Sequence, residues 1–108
     1  MMIHHEGTKG TKGTKARALW VSHAVIGAAI EVHRYLGPGL LESVYETALA
    51  RELWLRGLSF ERQAAIRLNY KGIDLDACVR VDLVVESVVM VEVKSIERFA
   101  PVHRAQLL

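Results

Sequence analysis

Apolar residues recur at helical spacing in the first half of the chain and predict two helices. The first is predicted over residues 19–36, because Gly37-Pro38-Gly39 stops the pattern and turns the chain. The second is predicted over about residues 40–56, with Gly57 as its C-terminal cap. The apolar stripes expected to face the core are Val21, Val25, Ile26, Ala29, Ile30, Val32 and Leu36 in the first helix, and Leu41, Val44, Tyr45, Ala48, Leu49 and Leu53 in the second.

After residue 65 apolar and polar residues alternate, which predicts three strands. The first carries Ile66, Leu68 and Tyr70 and ends at the turn signal Lys71-Gly72. The apolar residues of the next two strands are all odd-numbered: Leu75, Val79, Val81, Leu83 and Val85, then Val89, Val91 and Val93. We therefore expect the odd positions to face the core. The prediction is an α+β fold: two N-terminal helices, a three-stranded, mainly antiparallel meander, and a further helix starting at Pro101.

The turn between the second and third strands determines which residues face each other. A two-residue turn at Glu86-Ser87 would pair Asp82 with Val91 and would put Asp82 and Glu92 on opposite faces of the sheet. A shared apolar face requires the other register. We therefore expect a three-residue turn or a bulge, with Asp82 opposite Glu92.

Composition limits the chain to one domain with a real core. It has 108 residues, of which 51% are hydrophobic, and no apolar run of the roughly 20 residues needed to span a bilayer. Residues 1–17 contain a Gly-Thr-Lys repeat and are predicted to form a flexible basic tail, either simply solvated or acting as a weak phosphate-binding arm. They carry four basic groups and one acidic group, so the net charge of +2 leaves −1 on the domain at 18–108. Cys78 is the only cysteine, and no signal-peptide pattern opens the chain, so we expect a cytoplasmic protein.

Three polar residues on the last two strands are candidates for chemistry. Asp82 and Glu92 would repel each other as neighbours, and a hard divalent cation such as Mg²⁺ would relieve that repulsion. Lys94 shares their face and could offset negative charge on a phosphodiester. The Asp-x9-Glu-x-Lys spacing by itself also fits a plain surface strand.

A fourth candidate lies at the start of the second helix. On a helical wheel Glu42 falls about 20° from both Leu49 and Leu53, so its carboxylate lies at the edge of the core stripe. A glutamate in a first helical turn is also favoured by the helix dipole alone.

These stretches together resemble the GxxExxY proteins, small bacterial and archaeal proteins assigned to the PD-(D/E)xK nuclease superfamily. The matching segments within 25–108 are 26–33 (IGAAIEVH), 36–46 (LGPGLLESVYE), 81–83 (VDL), 91–94 (VEVK) and 105–108 (AQLL). The resemblance implies a restriction-endonuclease-like fold and a Mg²⁺ or Mn²⁺ site formed by Asp82, Glu92 and Glu42, with Lys94 as the catalytic lysine. It also makes Gln106, Tyr45 and His33 candidates for substrate binding.

The resemblance implies metal-dependent phosphodiester hydrolysis on DNA or RNA. The alternative is a non-catalytic nucleic-acid-binding or assembly module that keeps the nuclease fold. Members of the family continue into a fourth strand, so we expect this chain to be truncated and to lack the final strand of the core. An open sheet edge and uncovered apolar residues would then favour a homodimer.

Overall fold

A computed structural model of the protein describes residues 12–95. The predicted helix from Pro101, the candidate Gln106 and most of the predicted tail lie outside these residues. The element order is two helices followed by three strands, and the strand order in the sheet is β1-β2-β3. Both strand pairs are antiparallel, so the predicted α+β arrangement is confirmed. Of the two helices in residues 12–95, neither combines the length and apolarity that a membrane-spanning helix requires.

Helix α1 spans Lys12–Leu36 and begins earlier than the sequence indicated. Residues 12–17, assigned to the flexible tail, form its first turns, and the Arg17 guanidinium lies 3.5 Å from the Glu86 carboxylate. Extending a formed helix by a residue is easier than starting one, so a segment without an apolar face can still be helical. The core-facing residues recur at heptad-like spacing: Ala18, Val21, Ser22, Val25, Ala28, Ala29 and Val32. Ile26 and Ile30, expected in the core, are exposed because they lie beside this stripe.

Helix α2 spans Glu42–Leu55, shorter than predicted at its start, and Leu41 and Val44 of its predicted stripe are exposed. The predicted Gly57 cap is confirmed. Gly57 has φ +75°, which suits glycine, and its N–H donates to Trp54 O while the next N–H, of Leu58, donates to Leu53 O. This pair of hydrogen bonds is the Schellman motif, and it satisfies carbonyls that the helix end would leave without partners.

The first hairpin joins β1 (Phe60–Tyr70) to β2 (Ile73–Val85). Its predicted Lys71-Gly72 turn is confirmed: both residues have positive φ, as a two-residue type I′ turn requires, and Tyr70 pairs with Ile73.

The second hairpin has the predicted register. Strand β3 spans Val89–Val91, and Val85 pairs with Val89 while Leu83 pairs with Val91. The three residues between β2 and β3 form the turn, which is closed by a hydrogen bond from Val88 N–H to Val85 O. The pairing of Asp82 with Val91 that would separate the two candidate carboxylates does not occur.

The core lies between the helices and only one half of the sheet. Leu83 and Val85 are fully buried together with Val89 and Val91 of β3, as predicted from their odd positions. The same prediction is wrong for the other half of β2, since Leu75 is 49% and Val79 42% exposed. The β1–β2 hairpin runs on as a two-stranded ribbon beyond the reach of the helices, so alternation continues there without burial.

Candidate functional site

Asp82 lies near the end of β2, beside the segment that follows β3. The last paired residues are Leu83 and Val91, and continuing the same register by one step would put Glu92 opposite Asp82. The Val93 N–H donates to Asp82 Oδ2 at 2.8 Å. Val93 itself is buried, so the chain after β3 is held by its side chain on the core side and by the Asp82 carboxylate.

Lys94 lies next to Glu92, with its Nζ 3.0 Å from Glu92 Oε1. The Glu92 carboxylate, and behind it the charges of Glu42 and Asp82, raise the pKa of Lys94 above its ordinary value. Both side chains of the pair are about half exposed, and an exposed ion pair of this kind contributes little to stability. The Lys94 ammonium therefore pairs directly with Glu92 and is influenced electrostatically by Glu42 and Asp82.

Glu42 approaches this group from the first turn of α2. Its Oε1 accepts a hydrogen bond of 3.4 Å from the Ser95 N–H, and the Ser95 hydroxyl donates to Leu40 O. Glu42 and Ser95 line a hollow of about 430 Å³ together with Leu40, Leu41 and Ser43. The loop before α2 is thus joined to the segment that carries Lys94, which brings a helix carboxylate to the strand end.

The carboxylates of Asp82, Glu92 and Glu42 are the type of ligand that a hard divalent cation prefers, but their arrangement meets only part of what a metal site needs. Within residues 12–95 no group of three or more His, Cys, Asp and Glu side chains is arranged to hold a metal ion. Mg²⁺ usually binds through one or two carboxylates and keeps several water molecules. Two carboxylates such as Asp82 and Glu92 would be enough for such a site, and within residues 12–95 Glu42 does not complete a set of three direct ligands.

Of the predicted substrate-binding residues, Tyr45 and His33 lie in the described part of the chain, and no described hydrogen bond or ion pair joins either side chain to Asp82, Glu92 or Lys94. The buried Tyr45 hydroxyl donates to Gly37 O at 2.6 Å and accepts from the Leu40 N–H at 3.2 Å, so it closes the loop between the helices. His33 is exposed in the last turn of α1, and no described hydrogen bond or ion pair connects its imidazole to Asp82 or Lys94. Gln106 falls outside the described residues.

The structure adds two residues that the sequence reasoning missed. Glu46, only 8% exposed, accepts from Arg62 Nη2 at 2.9 Å and from Gln63 Nε2 at 2.6 Å. Gln63 Nε2 also lies 3.4 Å from Asp82 Oδ1. A signal for Glu46 existed, because it falls about 20° from Leu53 on the helical wheel and so within the buried stripe.

Comparison with known proteins agrees with this fold. A family model described as the PD-(D/E)XK nuclease superfamily matches residues 20–108. No curated protein and no solved structure matches the chain. Two helices followed by a three-stranded antiparallel sheet are consistent with a restriction-endonuclease-like fold. The match spans most of the chain, and the protein therefore belongs to the PD-(D/E)XK nuclease superfamily.

Proposed function

We propose that the protein is a metal-dependent phosphodiesterase acting on DNA or RNA, with Asp82 and Glu92 as ligands of Mg²⁺ or Mn²⁺ and Lys94 as its catalytic lysine. The observation that carries the proposal is the position of Lys94. Its ammonium lies 3.0 Å from Glu92 Oε1, and the negative charges of Glu42 and Asp82 also stabilise its protonated form. An ammonium beside carboxylates at a strand end can bind a phosphate oxygen once a cation balances those carboxylates. A cytoplasmic location, expected from the sequence, is part of the same proposal.

Each residue has a distinct part in this proposal. Asp82 already has one oxygen bonded to the Val93 N–H, so it would present the rest of its carboxylate in a fixed position. Glu92 would turn from Lys94 toward the cation, a change that the exposed ion pair allows. Lys94 would then donate to a phosphate oxygen and offset its developing charge. Glu42 would act through a water molecule, since it belongs to no three-carboxylate group among the described residues.

The chemistry that the cation supplies when bound is neutralisation of phosphate charge and activation of a water molecule.

A cleavage assay with matched variants tests the proposal. Labelled single-stranded DNA, double-stranded DNA and RNA are incubated with the protein in Mg²⁺, in Mn²⁺ and in EDTA. Lys94→Ala should lower the cleavage rate about a hundredfold, as expected when a donor to transition-state charge is removed. Lys71→Ala, which removes an exposed lysine at the far hairpin turn, should leave the rate unchanged.

A second pair of variants addresses the carboxylates. Asp82→Asn should abolish cleavage, whereas Asp74→Asn changes an exposed aspartate on the same strand and should not. Cleavage that persists in EDTA, or that falls equally in Asp82→Asn and Asp74→Asn, would exclude the proposed site.

The second candidate function is a binding or assembly module that keeps the fold. The observation in its favour is the exposed apolar face of the β1–β2 ribbon, where Val79 pairs with the half-buried Ile66 and Ile73 pairs with Tyr70. Cross-strand partners project from the same face of a sheet, and Ile66 and Tyr70 are an even number of residues apart on β1, so we expect the two pairs to share one face of the ribbon. A second copy would cover this apolar patch with the same patch of its own, as a two-fold homodimer requires.

Light scattering distinguishes the monomer from the homodimer. The wild type should have twice the mass of one chain, and Val79→Lys should convert it to a monomer. The matched variant Ala65→Lys places the same charge on the opposite face of the ribbon and should remain dimeric, since Ala65 pairs with Arg80 rather than with the patch. A monomeric wild type would reject the homodimer.

Calorimetric titration with Mn²⁺ separates the module from the enzyme, because a module should give the same heat for wild type and Asp82→Ala.

A further inference from the structure

Gln63 has an unusual backbone conformation in the middle of β1. Its φ is +50°, in the left-handed region that residues with a side chain rarely adopt inside a strand. The flanking pairs Arg62 with Leu83 and Ala64 with Val81 keep one register, so Gln63 lies directly across from Asp82. Such conformations persist only where the surroundings hold them, and they concentrate at functional sites.

Two carboxylates hold the Gln63 side chain. Its Nε2 lies 2.6 Å from Glu46 Oε1 and 3.4 Å from Asp82 Oδ1. Because an ionised carboxylate only accepts hydrogen bonds, the amide NH₂, with its two donors, is the end of the side chain that fits between them. Arg62 binds the other oxygen of Glu46 and fixes this anchor on α2.

Asp82 is consequently held at both oxygens. Oδ2 accepts from the Val93 N–H at 2.8 Å, and Oδ1 faces the Gln63 amide. Each carboxylate oxygen has a second lone pair, so these contacts fix the orientation of the group and leave acceptor positions for a ligand.

We propose that Gln63 is a positioning residue: its amide transmits the fixed position of the buried Glu46 to Asp82 and sets the direction in which Asp82 presents its carboxylate. The inference rests on the proposed function, because that function gives Asp82 its role as a metal ligand. In this role Gln63 would touch neither the cation nor the substrate.

The sharpest variant is Gln63→Asn. Asparagine tolerates positive φ better than most residues and keeps the amide, but its side chain is one methylene shorter and cannot span the two carboxylates. Glu61→Gln, at an exposed position on the same strand, is the matched control. Asparagine should preserve the cooperative melt, so a change in metal binding would not reflect loss of the fold.

Two readouts decide the matter without any need for cleavage. In NMR spectra of the metal-free protein, the Gln63 side-chain amide signals should move on Asp82→Asn and on Glu46→Gln, and should stay in place on Glu61→Gln. In Mn²⁺ titrations, Gln63→Asn should weaken binding about tenfold, the lower end of what loss of a partner to a metal ligand costs.

Failure of this inference is separable from failure of the nuclease function. A wild type that binds Mn²⁺ but cleaves no nucleic acid rejects the enzyme, while weaker binding by Gln63→Asn still supports the positioning role. If the Gln63 side-chain amide signals do not move on Asp82→Asn, the inference is overturned, even in a protein that binds no metal. Unchanged Mn²⁺ affinity in Gln63→Asn overturns it as well.

Discussion

Replacing Tyr45 by phenylalanine removes a hydroxyl that connects both sides of the loop between α1 and α2. That hydroxyl donates to Gly37 O at 2.6 Å and accepts from the Leu40 N–H at 3.2 Å. The ring is buried in the core and keeps its packing in the variant. The substitution therefore tests whether Tyr45 serves the loop, as its contacts indicate, or the substrate, as the resemblance implied.

The loss in free energy of unfolding expected for Tyr45→Phe follows from the two hydrogen bonds that the variant lacks in a partly buried loop. Each contributes about 0.5–1.5 kcal/mol net, and water can partly replace them there, so we expect a loss of about 1.5 kcal/mol. For a domain of this size 1 kcal/mol corresponds to a shift of about 4–8 °C, so the melting temperature should fall by about 6–12 °C.

Thermal and urea unfolding of Tyr45→Phe and Tyr35→Phe measure this effect. Tyr35 is 85% exposed at the end of α1, so its variant loses the same atom without losing a buried contact. The Tyr35 variant should melt as the wild type does. Equal melting temperatures for the two variants would refute the role of the Tyr45 hydroxyl in the loop, and a raised KM with unchanged stability would favour substrate binding instead.

Two further predictions concern the core and pH. Leu83→Ala should cost about 2–5 kcal/mol in urea unfolding because the side chain is fully buried, whereas Leu75→Ala on the same strand should stay within about 0.5 kcal/mol; equal losses would show that the ribbon is packed in solution. Hydrogen bonds from the Ser59 hydroxyl and N–H, with Arg17 nearby, lower the pKa of Glu86. Its stabilising effect should be complete well above the ordinary pKa of about 4.3 and should disappear as the pH falls through the lower folded-state value. Glu86→Gln should therefore be less stable than the wild type at pH 7 and equally stable at strongly acidic pH; a difference that persists in acid would contradict this.

The sequence predicted the elements whose signals are local. The parity of Leu83, Val85, Val89 and Val91 required a three-residue turn or a bulge, because a slip of one residue would have moved one apolar set to solvent. Gly57 marked the end of α2 because few other residues adopt the conformation that the cap needs. Both the hairpin register and the helix cap can be inferred from residues close together in the sequence and from the two-residue alternation of a strand.

What the sequence could not predict depends on contacts between elements. Leu75 and Leu83 have the same parity on β2, yet only Leu83 lies beneath the helices. The burial of Glu46 depends on Arg62 and Gln63, which come from another element and supply the hydrogen bonds that a buried carboxylate needs. The positive φ of Gln63 has no signature in its residue type.

The measurement that tests the central claim most directly is a crystal structure of the protein soaked in Mn²⁺, with anomalous scattering to locate the ion. The account predicts one ion bonded to carboxylate oxygens of both Asp82 and Glu92, with Lys94 released from Glu92 and Gln63 still bonded to Asp82. Glu42 should approach that ion through a water molecule. An ion bound elsewhere, or a saturated crystal in which Glu92 still pairs with Lys94 and no ion lies beside Asp82, would contradict the proposed site.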